Sequence, residues 1–231
     1  TPFKQYLETK GLGDDVYGYK LSSNGSPVAG PAANPQQVLP WINADQVVLK
    51  YPSAPTGSGI PTVGSVAFTS SKGVAYTVTG VSQVAGDPTA FVVALNKPLG
   101  GGNPTTGVAP TATENGDHIN FTLNGGGPGG SNLTARFDVL QGDTDHTGET
   151  GGTHQVLAND YSAVKKKFFK TTSDAATGAD TDYSAFHDVN GSGDILANDF
   201  SEVKKRFFQN LSQPAPVAPA AAASSIATGM S

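Results

Sequence analysis

Between residues 45 and 139 short runs dominated by Val, Thr, Phe and Tyr are separated by Gly, Pro, Asn and Asp. The runs are 45–51, 64–69, 74–81, a brief one at Val84, 90–95, 118–123 and 132–139. In the last, Leu133, Ala135, Phe137 and Val139 fall on one face. Runs of this length, rich in Val, Thr, Phe and Tyr and separated by turn residues, predict β-strands. Further along the period lengthens. Leu157, Tyr161, Val164 and Phe168 recur four, three and four residues apart, and Leu196, Phe200, Val203 and Phe207 repeat that spacing. This predicts two short helices, each with one apolar stripe. Upstream, residues 3–7 read as a short helix and 16–21 as a strand. Residues 26–40 read as extended chain, and Trp41 is expected to pack over the edge of the β-structure.

The helical part is a duplication. Residues 156–169, VLANDYSAVKKKFF, and 195–208, ILANDFSEVKKRFF, match at an offset of 39. Each follows an acidic turn. In the second, Asp188, Asn190, Ser192, Gly193, Asp194, Ile195 and Asp199 fit positions 1, 3, 5, 6, 7, 8 and 12 of a calcium loop. Side-chain oxygens at alternate positions converge on one ion, Gly193 permits the sharp turn, the Asp194 carbonyl points inward, and Asp199 closes the shell from the following helix. The first copy runs Asp143, Asp145, Thr147, Gly148, Glu149 to Asp160, with six extra residues, 150–155, placed after the glycine turn. Position 9 is Leu157 or Leu196, and position 12 is Asp where Glu is usual. Two calcium ions are therefore expected, bound with the modest affinity of extracellular modules, about 10⁻⁴ to 10⁻³ M. Neither stripe can be buried by its own helix. Packed antiparallel, and joined by Phe169 and Phe208, the two are expected to form a small core that the ions complete. The basic runs 165–167 and 204–206 suit the C-terminal ends of helix dipoles and are expected to be solvated.

These residues resemble a dockerin module, in which two calcium loop–helix units pair with pseudo-twofold symmetry. The resemblance rests on Asp188-Val-Asn190-Gly-Ser192-Gly193 with Asp199, and on Asp143-Thr-Asp145 with Gly148 and Asp160, and covers about 70 residues. It implies an exported bacterial protein, an extracellular or cell-surface location and a cohesin-like receptor. The β-region resembles, in layout, the Ig-like domains that precede such modules. The expected fold class is mainly β: an antiparallel Ig-like β-sandwich (45–140) followed by a small helical dockerin-like module (141–211). An N-terminal extension (1–44) and a Pro/Ala-rich tail (212–231) flank them.

Composition narrows the function. The chain of 231 residues holds 29 Gly and 16 Pro, as turn-rich β-structure does, and no Cys, which removes thiolate chemistry. No run of 18 apolar residues offers a transmembrane segment. Up to Arg136 seven acidic and seven basic residues cancel; beyond it twelve acidic face seven basic, which accounts for the whole net charge of −5. An acidic half suits a hard cation and not nucleic acid. No nucleophile elbow, triad spacing or phosphate-loop lysine occurs, so no enzyme is expected. The tail would order only against its own domain or a neighbouring copy. A heterologous contact of the second kind propagates into a filament, so a homo-oligomer is expected. The readings that follow are a self-associating calcium-binding structural subunit, a module for a cohesin-like receptor, or a carbohydrate-binding protein.

Overall fold

The structure, a computed structural model, describes residues 1–21, 38–103, 105–126, 130, 132–145, 154–211 and 225–229, with Leu21 and 225–229 described by backbone alone. It is a mixed architecture of antiparallel sheets followed by two helices. Strands β1 (Gly13–Asp14), β2 (Gly18–Leu21), β3 (Gln46–Lys50), β4 (Val66–Ser70), β5 (Val78–Val84), β6 (Asp87–Leu95), β7 (Asp117–Leu123), β8 (Leu133–Val139) and β9 (Ser225–Gly229) form two sheets. The larger runs β1-β2-β9-β3-β6-β5, the smaller β4-β7-β8.

Period-two patterning explains what lies between the sheets. Val47 and Leu49 from β3, Phe91, Val93 and Leu95 from β6, Ile119, Phe121 and Leu123 from β7, and Leu133, Ala135, Phe137 and Val139 from β8 form one buried cluster. The intervening Val48 and Ala90 join a small cluster on the opposite face of the larger sheet. The larger sheet is not local in sequence: β2 comes from the first 21 residues and β9 from the last seven, and β9 pairs antiparallel with both β2 and β3.

Helix α1 (Pro2–Thr9) starts where Thr1 accepts from the Lys4 N–H and Pro2 presets the first turn; Phe3 and Leu7, four residues apart, are buried. Trp41 is fully buried. It stacks on Phe186 and meets Phe3 edge-on, and its indole N–H donates to the Ala185 carbonyl at 3.0 Å. The residue expected at the sheet edge instead fills the seam between the β-structure and the helical unit, so it cannot stack on a sugar.

Helices α2 (Ala158–Lys166) and α3 (Ala197–Lys204) hold a second core. Val164 and Val203 are its fully buried members from the stripes, together with Val156, Ile195, Tyr183, Val189 and Leu140; Tyr161, Phe168, Phe200 and Phe207 pack against it. The duplication is visible in individual contacts. Tyr161 lies against Phe200, its own equivalent, and the pairs Tyr161–Phe207 and Phe168–Phe200 are mirror contacts across a pseudo-twofold axis. The backbone follows suit. Phe208 donates to the Val156 carbonyl and Val156 to that of Gln209; Phe169 donates to Ile195 and Ile195 to Lys170, all at 2.9 Å. Each loop is therefore tied to the chain that follows the other helix.

Three expectations about this unit are overturned. To turn their N–H groups toward the opposite loop, Phe169 and Phe208 adopt φ of 64° and 67°, and their side chains stand 80% and 74% exposed instead of entering the core. Leu157 and Leu196 precede the first turn of each helix in extended conformation, outside the core. Within the basic runs, Lys167 and its equivalent Arg206 are buried, not solvated. The Lys167 ammonium donates to the carbonyls of Asp180 and Asp182, while Arg206 donates to Gln141 Oε1 and pairs with Glu202.

Candidate metal centre

Strand β8 delivers the chain directly into the first loop. Leu140 N–H donates to the Leu39 carbonyl, Gly142 N–H to that of Pro40, and Asp143 follows at 1% exposure. Helix α2 brings in Asp160, fully buried at its third residue. The Asp160 carboxylate accepts the N–H of Leu157 at 2.8 Å with one oxygen, and those of Thr144 at 2.7 Å and Asp145 at 3.3 Å with the other. One side chain thus starts the helix and ties it to the loop. Carboxylate oxygens of Asp143, Asp145 and Asp160 lie within 4.8 Å of one another. Oxygens on one calcium ion, each about 2.3–2.6 Å from it, can be no more than about 5 Å apart, so this cluster can coordinate a metal ion. His154 bonds to Asp143 at 2.9 Å through Nδ1. Thr147, Gly148 and Glu149, also expected as loop residues, lie outside the described residues, as do the first residues of the insertion.

Among the described residues the Asp143, Asp145 and Asp160 group is the one such carboxylate cluster. The second loop, where a second ion was expected, does not bring the carboxylates of Asp188, Asp194 and Asp199 together in that way and is held instead by a hydrogen-bonded network. Asp188 accepts from the N–H groups of Ser192 at 3.0 Å and Gly193 at 2.7 Å, and from the Tyr183 hydroxyl at 2.6 Å. Asn190 Oδ1 accepts the Ser192 N–H at 2.9 Å, and the Ser192 hydroxyl donates to Asp194 at 2.6 Å. Asp199 repeats the role of Asp160, accepting from Leu196 at 2.9 Å and from Asn190 at 3.4 Å. The four side chains expected as ligands, Asp188, Asn190, Ser192 and Asp199, thus belong to one hydrogen-bonded network together with Asp194, whose carbonyl was the expected donor. Gly193 has φ +99°, and a Cβ there would lie 3.2 Å from the Pro2 side chain, so both conformation and space require glycine.

Burial dominates the electrostatics. It pushes the carboxyls of Asp160 and Asp199 up to about 7, and that of Asp188 to about 6. Neighbouring carboxylates add to this: Asp143 and Asp145 act on Asp160, Asp188 on Asp199, and Asp194 on Asp188. Carboxylates held this way are costly to ionise without a counter-charge.

The chain matches no family model, no curated protein and no solved structure. Its chemistry is therefore read from its own geometry.

Two polar clusters escaped the sequence reading. In the first, Gln141 links three parts of the molecule. Its amide donates to the Leu99 and Gly101 carbonyls, its Oε1 accepts from Arg206, and its backbone is held by Asn115 at both ends. Gly116, beside Asn115, approaches Asn210 so closely that a Cβ would lie 1.8 Å from its carbonyl oxygen. In the second cluster His118, Arg136 and Asp138 are buried together on β7 and β8, with His118 Nδ1 2.6 Å from Asp138. Arg136 and Asp138 alternate with the apolar residues of β8 and yet are buried. The chain around Leu39 lies beside β8, with Leu39 N–H donating to the Asp138 carbonyl, and no local pattern announces that pairing. Among the described residues no helix is long and apolar enough to cross a membrane.

Proposed function

We propose that the chain is a non-catalytic, calcium-stabilised structural protein of the extracellular space that associates with copies of itself. In this reading a two-sheet, Ig-like β-domain carries a dockerin-like pair of calcium loops, one ion to each. The observation that carries it is the pair of related loops in which Asp143, Asp160, Asp188 and Asp199 are 0–1% exposed. Burying carboxylates without a cation works against folding, while oxygen ligands around a bound ion would convert the same burial into stability. The direct attachment of Asp143 to β8 and the Gln141–Arg206 link support a mechanical role, since loading the ions would stiffen the joint between the two regions. Melting curves in millimolar calcium and in excess chelator test this. The expected result is a helical unit that melts many degrees lower in chelator; equal melting temperatures would sink the reading.

Phe169 and Phe208 favour a second reading. Two equivalent aromatic side chains, each next to lysine-rich helix ends and mostly exposed, suit a receptor of cohesin-like type. Capture of a receptor that is lost on Phe169→Ser or Phe208→Ser would favour it over self-association.

A further inference from the structure

The larger sheet holds β9, the most C-terminal of the described strands, in its interior. Strands β2 and β3 do not touch each other; β9 stands between them, with Lys20 and Val48 both opposite Ala227, and Leu21 and Leu49 both opposite Ile226. Removing β9 leaves a gap of about two strand spacings, ~9.5 Å, with an open row of backbone N–H and C=O groups on either side. A sheet so interrupted has two facing edges that select an added strand and little else, because both rows must be satisfied in register. The five residues Ser225–Gly229 that satisfy them sit at the far end of the sequence, beyond a 13-residue segment carrying Pro214, Pro216 and Pro219.

We propose that this slot is the receptor for the Ser225–Gly229 strand of a second copy, so that each subunit donates its last strand to the sheet of the next. The inference rests on the reading of the chain as a self-associating subunit and says how it associates. Backbone pairing is identical whether the strand comes from its own chain or a neighbour, so the joining segment decides between them. At roughly 3.1 Å per residue, 13 residues can span up to about 40 Å. A globular chain of this length has an expected radius of gyration of about 17 Å, or a diameter near 45 Å, so the segment is long enough to reach a neighbour. Donor strand and slot are different surfaces of the molecule. A donation that is not returned by the same partner is therefore heterologous and leaves a strand and a slot free at the two ends, which extends the chain of subunits. β3, buried on both faces, makes the inserted strand part of the sheet interior and so a durable link.

The chain has no cysteine, which makes a cross-linking test clean. Val48→Cys and Ala227→Cys, directly opposite in register, are prepared in separate chains, mixed in calcium under conditions where light scattering shows multimers, and oxidised. Strand donation is expected to give a band at twice the chain mass in the mixture and none in either single variant. The doubly substituted chain is expected to give a ladder. Ile226→Pro, which blocks strand pairing, is expected to abolish the ladder and the multimers together. A doubly substituted chain that links only within itself, while multimers form, overturns strand donation and leaves self-association standing. A chain that stays monomeric at every concentration overturns both.

Discussion

The two loops use one design in different surroundings. Both place an Asp at the third helical residue, both use it to hold the loop backbone, and both tie themselves to the segment after the other helix through equivalent pairs 39 residues apart. The second loop is also braced from outside. Ile42 N–H donates to the Val189 carbonyl, the Asn43 amide to that of Asn190, Tyr183 to Asp188, and Gly193 sits against Pro2. The first loop carries six additional residues, and its described start follows β8 closely, with Gly142 N–H donating to the Pro40 carbonyl and His154 bonded to Asp143. The insertion ends at Gln155, where the crossing bridge to Asn210 begins, so the ladder that locks the two units together keeps its spacing. The comparison teaches that the interlock tolerates a longer loop, because what must be conserved is the distance from the bridge to the helix and not the length of the loop.

Substitutions at the ligands should separate the loops most sharply. Asp199→Ala removes a proposed ligand and the helix-starting acceptor in the braced loop, and is expected to cost about 3–5 kcal/mol in calcium, measured by urea unfolding. Asp160→Ala should cost less, about 2–4 kcal/mol on the same principle, if the braces that Ile42, Asn43 and Tyr183 give the second loop add to the loss there. Equal losses would show that the braces around the second loop contribute nothing.

Gly193→Ala should come next, at about 1–3 kcal/mol, combining a positive φ with crowding against Pro2. The effect should shrink when the α1 segment is deleted, since one of its two causes is then gone. If it does not shrink, backbone conformation alone accounts for it.

Acid should act in opposite directions with and without calcium. In chelator Asp160, Asp188 and Asp199 hold protons in the fold up to about pH 6–7 that they would release near pH 4 when unfolded. The metal-free fold is therefore most stable below pH 4 as far as these groups are concerned, and loses that contribution as pH rises to about 7. Each pK unit corresponds to about 1.4 kcal/mol per group, so the three groups together change the stability by roughly 10 kcal/mol. Calcium must displace these protons, so its stabilising increment should grow from pH 5 to 7.5. Melting temperatures across that range in calcium and in chelator would show the two curves diverging; parallel curves would remove the three carboxyls from the account.

The smallest effect concerns the exposed rings. Phe169→Gly and Phe208→Gly relieve a left-handed backbone without emptying the core, and are expected to stabilise by up to about 1 kcal/mol. Destabilisation would mean that these rings pack in the solution state.

Most strands and both helices were legible because each is written in a local pattern: short runs of β-forming residues between turn residues from Asp45 to Val139, and period 3.6 after each acidic turn. What was not legible depends on partners distant in sequence. Phe169 and Phe208 look apolar and adjacent to the stripe, yet a crossing hydrogen bond to the other loop turns them outward. Lys167 and Arg206 look like helix-end cations, yet carbonyls at Asp180 and Asp182 and the Gln141 side chain draw them in. Trp41 is covered by Phe186, 145 positions away, and β9 finds its slot between strands from the first quarter of the chain.

The central claim is that buried carboxylates on two interlocked loops need cations in order to be stable. The most direct measurement is calorimetric titration of calcium into chelator-stripped protein, followed by its melting curve. The account expects two ions per chain. At calcium near 100 times its dissociation constant each should add about 2.7 kcal/mol to the stability of the helical unit. A chain that takes up no calcium, or takes it up without any rise in melting temperature, would contradict it.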